Sequence, residues 1–116
     1  MKFTIPGKPI SINHAYGQQR NGRRYLTDEG AAFKIEVGYC AMNAMKSSIN
    51  VYKYPIKVKI EYYFDDKRRR DIDNGIKLLL DSMTGIVWKD DSEIVCLEVW
   101  KDFSDEPRIE VEIEQL

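Results

Sequence analysis

The spacing of hydrophobic and polar residues along the chain predicts four strands and two helices. Residues 56–64 alternate almost strictly between the two classes, a pattern typical of a strand with one buried face. Shorter extended runs predict three more strands, at 2–5, 93–101 and 107–114. Residues 86–88 indicate a brief return to extended structure, and a turn at 104–107 separates the last two strands.

Helical spacing occurs in two places. The first helix is predicted from the capping residue Thr27 through the helix-favouring stretch 31–45, and Ser47 to Asn50 indicate its end. Its core-facing residues are predicted to be Phe33, Val37, Ala41 and Ala44. The second helix is predicted from about Asp73 to Thr84, with Gly85 in the position that ends it. Its buried face is predicted to carry Ile76, Leu79, Leu80 and Met83.

These elements predict the fold class, a single α+β domain over residues 1–116 with two helices packed on one mixed β-sheet. The predicted order is strand, helix, strand, helix, strand, strand. Residues 11–24 are rich in Gly, Asn and Gln, which indicates a loop or a loosely held hairpin. Three arginines make the tip of this segment basic: Arg20, Arg23 and Arg24.

The charges are distributed unevenly along the chain. The formal net charge is −1, yet residues 1–89 contain 16 Lys or Arg and 9 Asp or Glu, a balance of +7. Residues 90–116 contain 2 and 10, a balance of −8, and acids alternating along an exposed strand would account for most of that excess. A basic body of this kind favours a nucleic-acid partner. No long apolar run predicts a membrane span, and the two isolated cysteines do not indicate a zinc site.

The most informative segment is Lys67-Arg68-Arg69-Arg70-Asp71-Ile72-Asp73-Asn74, in which four cations precede two acids. Massed like charges repel one another, so they contribute little to folding by themselves. Arginine binds phosphate through its planar fork of donors, and carboxylates are ligands that Mg²⁺ or Mn²⁺ prefers. The segment therefore predicts a site that attracts a nucleic-acid backbone and cuts it with the help of a metal ion.

The expected geometry brings these acids together. If Asp71 is extended and Asp73 is the N-cap of the second helix, both carboxylates can converge, and Lys77 projects beside them on the stripe that continues to Asp81. Another interpretation of this segment requires no catalysis. Asp73 then only caps the helix, with Lys77 as its surface ion-pair partner.

A second acidic pair, Asp90-Asp91, follows Trp88 at a turn that is expected to lie beside the start of the second helix. By itself, Asp-Asp-Ser is an ordinary turn sequence. Together with Asp71 and Asp73, however, it would bring several carboxylates to one point, where they repel one another unless a cation lies between them. A divalent metal ion supplies that cation and can activate water at a phosphate.

These residues resemble a known family. The run from Arg68 to Asn74, Lys77 four residues after Asp73, and the segment Trp88-Lys89-Asp90-Asp91 are similar to the RusA family of Holliday-junction resolvases. That family has an R-R-D-x-D-N motif, a lysine four residues past the second Asp, and a later W-x-D-D segment. The likeness extends more weakly to the helix entry at residues 27–30 and to a closing hairpin.

The resemblance implies a homodimeric, Mg²⁺-dependent endonuclease that nicks four-way branched DNA symmetrically, with Mn²⁺ as a possible substitute. It implies no small-molecule cofactor, no membrane, and a cytoplasmic setting in a bacterial cell, of cellular or phage origin. Its metal ligands would be Asp71, Asp73 and Asp91, with Asp90 supporting them and Lys77 as a catalytic cation. The DNA-binding residues are predicted to be Lys67, Arg68, Arg69, Arg70, Arg23 and Arg24.

Two other functions are consistent with the same residues. One is a nuclease that acts on a different substrate, such as another branched DNA, a flap or RNA. The other is a DNA-binding module whose acids serve only as caps and turns. The intact set of acids argues against the module, because binding alone favours few acids near phosphate.

Overall fold

The computed structural model describes residues 1–46 and 50–116. Its strands are β1 (Lys2–Pro6), β2 (Tyr16–Gln18), β3 (Arg24–Leu26), β4 (Ile56–Phe64), β5 (Ile94–Phe103) and β6 (Arg108–Gln115). Its α-helices are α1 (Ile12–Ala15), α2 (Asp28–Met45) and α3 (Ile76–Met83), and a 3₁₀ helix spans Asp91–Glu93. The predicted α+β class with two main helices and one mixed sheet is confirmed.

The main sheet has the strand order β1-β6-β4-β5. Strand β6 pairs antiparallel with both β1 and β4, whereas β5 pairs parallel with β4. The predicted closing hairpin is therefore wrong, since β4 lies between β5 and β6. The reason is that α3 returns the chain to the start of the sheet, so β5 runs alongside β4 in the same direction. Strand β6 then crosses to the other side of β4.

Alternating side chains place the hydrophobic core on one face of this sheet. Strand β4 buries Ile56, Val58 and Ile60 on that face, and β6 buries alternate residues in the same way. The intervening glutamates of β6, at 110, 112 and 114, point to the other face, as expected for the C-terminal acidic excess. The helices cover the apolar face, with Val37 and Ala41 from α2 and Leu79 and Met83 from α3 all fully buried.

Helix α2 begins as the sequence predicts. Thr27 is the N-cap, and its hydroxyl accepts a hydrogen bond from the backbone N–H of Gly30 at 3.0 Å. The same hydroxyl donates to the carbonyl of His14 at 2.6 Å, which ties α2 to α1. A Cβ on Gly30 would lie 2.3 Å from the Ala15 carbonyl oxygen, so only glycine allows this approach. Helix α2 ends at Met45, and most of the polar stretch that predicted its end, residues 47–49, lies outside the described residues.

Three further local predictions have a definite outcome. The segment 11–24 contains the short helix α1 and part of the β2–β3 hairpin, so the hairpin interpretation is confirmed. Residues 85–87 form a turn rather than a strand, because Gly85 adopts a φ of +88° and only isolated bridges at Thr84 and Trp88 flank it. Among the described residues, no helix is long and apolar enough to cross a membrane.

Candidate active site

The turn that carries Asp71 and Asp73 differs from the predicted geometry. Helix α3 begins at Ile76, and its N-cap is Gly75, with a φ of +86° and no side-chain capping bond. Asp73 is therefore not the N-cap; it lies in the preceding turn, where its backbone carbonyl accepts from Ile76 N–H at 3.3 Å. Gly75 adopts a left-handed conformation that other residues avoid, and this sets where the helix can start. It also removes helix capping as an explanation for the Asp73 side chain.

The two carboxylates of this turn are open to solvent. Asp71 and Asp73 are both exposed, and none of the ion pairs formed within the described residues involves either of them. Exposed carboxylates without a structural partner contribute little to the stability of the fold. They are available instead to a ligand that approaches from solution.

Lys77, in the first turn of α3, contacts the second acidic segment. Its ammonium group lies 2.9 Å from a carboxylate oxygen of Asp91 and 2.9 Å from one of Asp81. Asp91 and then Asp81 accept hydrogen bonds from this ammonium, which raises the pKa of Lys77 above its ordinary value and keeps the side chain charged. The predicted proximity of the Asp90-Asp91 turn to the start of the helix is therefore confirmed. The predicted ion pair between Lys77 and Asp73 is absent from the described residues.

Asp90 and Asp91 have different roles in the structure. Asp90 is the N-cap of the 3₁₀ helix, and its carboxylate accepts from the backbone N–H of Ser92 at 2.9 Å. That hydrogen bond is the main reason why the pKa of Asp90 is lowered. The turn interpretation thus describes Asp90, whereas the Asp91 side chain points to Lys77. Trp88 anchors the segment, because it is fully buried and its indole N–H donates to Thr84 Oγ1 at 3.0 Å.

The acids of the two segments have oxygen donors suited to a metal ion, but the described residues do not gather them into a cluster. Asp71, Asp73 and Asp91 provide oxygen ligands of the kind that Mg²⁺ or Mn²⁺ prefers, so their chemistry fits such an ion. In the described part of the chain, however, no three His, Cys, Asp or Glu side chains are grouped closely enough to hold one. The structure therefore brings Asp91 to Lys77 but does not assemble the three predicted ligands into a metal centre.

The basic run before the acids divides into exposed and anchored residues. Lys67, Arg68 and Arg69 are exposed, and the ammonium of Lys67 lies 5.6 Å from the centre of the Phe103 ring. Arg70 is half-buried instead. Its guanidinium forms two hydrogen bonds to Asp66, at 2.6 and 3.0 Å, and lies 4.1 Å above the Phe64 ring. Arg70 thus fixes the loop, and its three neighbours stay exposed to solvent.

Asp66 is the centre of this anchor, and nothing in its sequence pattern indicated that role. It accepts from Arg70 and from Lys8, whose ammonium lies 2.7 Å away. Arg70 in the first place, then Lys8, hold the pKa of the Asp66 carboxyl well below its usual range. Because Lys8 follows β1 and Asp66 follows β4, the contact is long-range in sequence, and only the fold reveals it.

Arg23 and Arg24 lie on the β2–β3 hairpin, away from the acidic segments in sequence. Both are exposed, and the guanidinium of Arg24 lies 5.1 Å from the centre of the Tyr16 ring across the hairpin. The turn between the two strands is closed by a hydrogen bond from Gln19 N–H to the Arg23 carbonyl at 2.7 Å. The hairpin therefore presents a second set of exposed cations.

A tyrosine beside the acidic turn was predicted only as a core or strand residue. Tyr62 is 5% exposed, and its hydroxyl has no hydrogen-bond partner among the described residues. Burial raises the pKa of this hydroxyl, which therefore stays protonated and remains a donor. Tyr62 lines a cavity together with Asp71.

The chain matches the model of a known protein family over a region that contains the two acidic segments and the basic run. The family model described as endodeoxyribonuclease RusA matches residues 6–114 of this chain. The chain belongs to the RusA family. Both acidic segments, Lys77 and the basic run lie within the matched region.

Relatives of this chain include proteins that carry the RusA name. The crossover junction endodeoxyribonuclease RusA of Escherichia coli (strain K12) is 35% identical over 100 residues, which cover 85% of this chain and 80% of that protein. The crossover junction endodeoxyribonuclease of Enterobacteria phage 82 is 33% identical with the same coverage. The YqaN protein of Bacillus subtilis (strain 168) is 28% identical over an alignment that covers 100% of this chain and 96% of YqaN. The expected RusA membership is thereby confirmed.

Proposed function

We propose that this RusA-family chain is a crossover junction endodeoxyribonuclease, which resolves four-way DNA junctions by paired symmetric nicks. The observation that carries the proposal is the contact between Lys77 and Asp91 at 2.9 Å. It brings the acidic segment after α3 to the first turn of α3, which follows Asp71 and Asp73 directly in the chain, and it joins residues 14 positions apart in sequence. A DNA-binding module would not need a second acidic segment beside a phosphate site.

The proposed metal ion is Mg²⁺, with Mn²⁺ as a substitute, and its proposed ligands are Asp71, Asp73 and Asp91. When bound, such an ion lowers the pKa of water and stabilises negative charge that develops on phosphate. Lys77 contributes a fixed positive charge at the same place, where it neutralises the phosphate or the leaving oxygen. Asp90 positions the segment by capping the 3₁₀ helix, and we assign it a supporting role.

The proposed DNA contacts follow the exposed cations. Lys67, Arg68 and Arg69 project into solvent immediately before the acidic turn, so phosphates bound there lie close to the carboxylates. Arg70 has a different proposed role, because its guanidinium is already occupied by Asp66 and Phe64. It positions the loop that carries the other three. The hairpin residues Arg23 and Arg24 supply a second set of phosphate contacts.

We further propose a homodimer that acts on bacterial or phage DNA in the cytoplasm. A four-way junction has approximate two-fold symmetry, and a two-fold dimer offers two matching sites. Two exposed apolar surfaces are candidates for the interface. One is the outer stripe of α2, where Ile35, Tyr39 and Met42 are 74%, 62% and 54% exposed; the other is the free edge of β5, which exposes Val95 and Leu97.

Light scattering coupled to size-exclusion chromatography tests the dimer. The wild type is expected to have the mass of two chains, and either Tyr39→Glu or Leu97→Glu is expected to give the mass of one. The variant that does so identifies the interface. A monomeric wild type at the concentration used for cleavage would refute the homodimer.

Cleavage by Asp73→Asn tests the active site. The variant is expected to bind a four-way junction at least as well as the wild type, because a negative charge near phosphate is removed, and to lose cleavage in Mg²⁺. Asp65→Asn is the matched control, since it makes the same change at an exposed acid of the neighbouring loop and should cleave normally. Full cleavage by pure Asp73→Asn would remove this residue from the catalytic site.

The choice of substrate needs a separate comparison. Nicking of a synthetic four-way junction, a flap and a linear duplex of related sequence is measured under the same Mg²⁺ concentration. Preference for the junction, with paired nicks at symmetric positions, supports the proposal. Equal or faster cutting of flaps would instead indicate a nuclease for other branched DNA.

A further inference from the structure

An open groove lies between the end of β5 and the basic loop that follows β4. It has about 180 Å³ of space, which exceeds the roughly 150 Å³ of a cavity that holds benzene. Because the groove is open to solvent, a flat ring larger than benzene can lie partly outside it. We call it the Phe103 groove, and the residues that matter here are Phe64, Lys67, Arg68, Lys101 and Phe103.

Phe103 provides this groove with an exposed aromatic ring on a fixed backbone. It is the last residue of β5 and pairs in register with Phe64 of β4. The next residue, Ser104, donates its backbone N–H to the Phe64 carbonyl at 2.8 Å, so the chain stays tied to β4 beyond the end of the strand. Phe103 is nevertheless 46% exposed. A single exposed aromatic is ordinary on a protein surface, so its meaning depends on its surroundings.

The two rings of the groove differ in how far they are covered. The Arg70 guanidinium lies 4.1 Å from the centre of the Phe64 ring, and the Tyr62 ring stacks beside it with centres 6.3 Å apart. Phe103 has a looser neighbour, because the Lys67 ammonium is 5.6 Å from the centre of its ring, near the outer limit of about 6 Å for such a contact. Lys67 is long and exposed, so its head can move to a phosphate while the Phe103 ring accepts another flat group.

The charges around the groove favour an anionic partner. Four cations and two acids line it, a balance of +2: Lys67, Arg68, Arg70 and Lys101 against Asp66 and Asp102. The Asp66 carboxylate is already engaged by Arg70 and Lys8, and that of Asp102 accepts from the Phe103 N–H at 2.7 Å. Proteins bind unpaired nucleotides with this combination, in which an aromatic ring stacks on a base and cations track the backbone.

The groove also adjoins the proposed active site. Arg70 lines the groove and immediately precedes Asp71 in the chain. The Lys101 ammonium, on the other side of the groove, donates to the Arg70 carbonyl and so holds β5 against the loop that enters the acidic turn. A nucleotide bound in the groove is therefore next to the carboxylates that are proposed to hold the metal ion.

From this arrangement we infer that the Phe103 groove binds one unpaired nucleobase of branched DNA, stacked on the Phe103 ring, while Lys67 and Arg68 contact the flanking phosphates. The inference rests on the proposed function, because it specifies a feature of the branched substrate that the site selects. A mismatched or single-stranded base costs less to take out of the helical stack than a paired base. The protein should therefore prefer a junction that has an unpaired base at its crossing point.

Binding without metal ion, measured by fluorescence anisotropy, tests this preference. Three four-way junctions are compared: one fully paired, one with an extra unpaired thymine at the crossing point, and one with an abasic nucleotide in place of that thymine. The wild type is expected to bind the thymine junction about five- to a hundredfold more tightly than the abasic junction, the effect of stacking one base. Phe103→Leu should bind these two junctions equally, whereas Phe103→Trp keeps an aromatic face and should retain the preference.

Trp100→Leu is the matched control. Trp100 is 59% exposed on the same strand, but it lies an odd number of residues from Phe103 and so projects from the opposite face of the sheet, where Glu61 is its neighbour in register. This variant should keep the wild-type preference for the thymine junction. An equal loss of affinity for all three junctions in Phe103→Leu would mean that Phe103 only positions the basic loop. That result, or a wild type that binds the thymine and abasic junctions equally, overturns the inference.

Cleavage in Mg²⁺ separates the inference from the proposed function. If the wild type cuts none of the junctions while its preference for the thymine junction persists, the proposed function fails and the stacking site stands. If the wild type cuts the paired junction by symmetric nicks but does not distinguish the thymine from the abasic junction in binding, only the inference fails.

Discussion

Replacing Tyr62 by Phe should stabilise the free protein, although most substitutions of buried residues destabilise. The hydroxyl of Tyr62 is buried and has no partner among the described residues, so folding removes it from water without a compensating hydrogen bond. Leaving such a group unsatisfied costs about 1–3 kcal/mol. The variant keeps the aromatic ring, which is 5% exposed and packs within the core, and therefore creates no large cavity.

From these contributions we expect the free energy of unfolding to rise by about 1 kcal/mol, the lower end of the range. For a domain of this size, that corresponds to an increase in Tm of about 4 °C. Urea titration followed by tryptophan fluorescence measures the change, and an unchanged slope with denaturant shows that the unfolded state is not altered.

Tyr63→Phe is the comparison, and it is expected to change the free energy of unfolding in the opposite direction. Its hydroxyl is already bonded to Glu61, which raises the pKa of Tyr63 to about 12, so removing that hydroxyl is expected to lower stability slightly. A Tyr62→Phe variant that loses 1 kcal/mol or more would refute the reasoning, because it would mean that the hydroxyl is satisfied in the free protein.

Three more predictions concern the loop, the helix cap and the DNA surface. Thr27→Ala should lower the free energy of unfolding by about 1–2 kcal/mol through loss of the α2 cap, whereas Thr27→Ser should keep most of it in the same urea titration. Arg70 lowers the pKa of Asp66, so this pair stabilises the fold fully above a pH of about 4 and loses that effect as the pH falls towards the lowered pKa. In thermal melts at acid pH, the Tm of the wild type should therefore fall more steeply with pH than the Tm of Asp66→Asn. Equal slopes for the two proteins would contradict this. Arg69→Glu should weaken binding to all DNA sequences and reduce the dependence of affinity on salt, as measured by fluorescence anisotropy. Lys34→Glu makes the same change of charge on α2 and should leave the salt dependence unchanged.

The elements that depend on local spacing could be predicted from the sequence. Strand β4 alternates almost strictly because one of its faces is buried, and α2 begins after Thr27 because the hydroxyl of this N-cap satisfies a free N–H of the first turn. The run from Arg68 to Asn74, Lys77 and the segment 88–91 together form a motif that is specific to one family. The RusA membership could therefore also be recognised before the fold was known. The start of α3 was misplaced, since the left-handed conformation of Gly75 is not visible in a hydrophobic pattern.

Strand pairing was not determined by local pattern. The sequence contains two adjacent strands near its end, and a short turn between them favours a hairpin. Instead β5 pairs parallel with β4, because α3 carries the chain back across the sheet and leaves β6 to fill the space between β4 and β1. This choice depends on burying the apolar faces of three elements at once, which is a property of the whole sheet rather than of the turn.

The sequence by itself determined which residues carry the chemistry: a basic run, two acidic segments and a lysine between them. Tertiary structure alone decided which of these meet. It brought Lys77 to Asp91, engaged Arg70 with Asp66 rather than leaving it free, and buried the Tyr62 hydroxyl without a partner among the described residues. The physical reason is that charge and residue type are properties of single positions, whereas a distance between side chains depends on how strands and helices pack. Contacts between segments far apart in the chain therefore became known only with the fold.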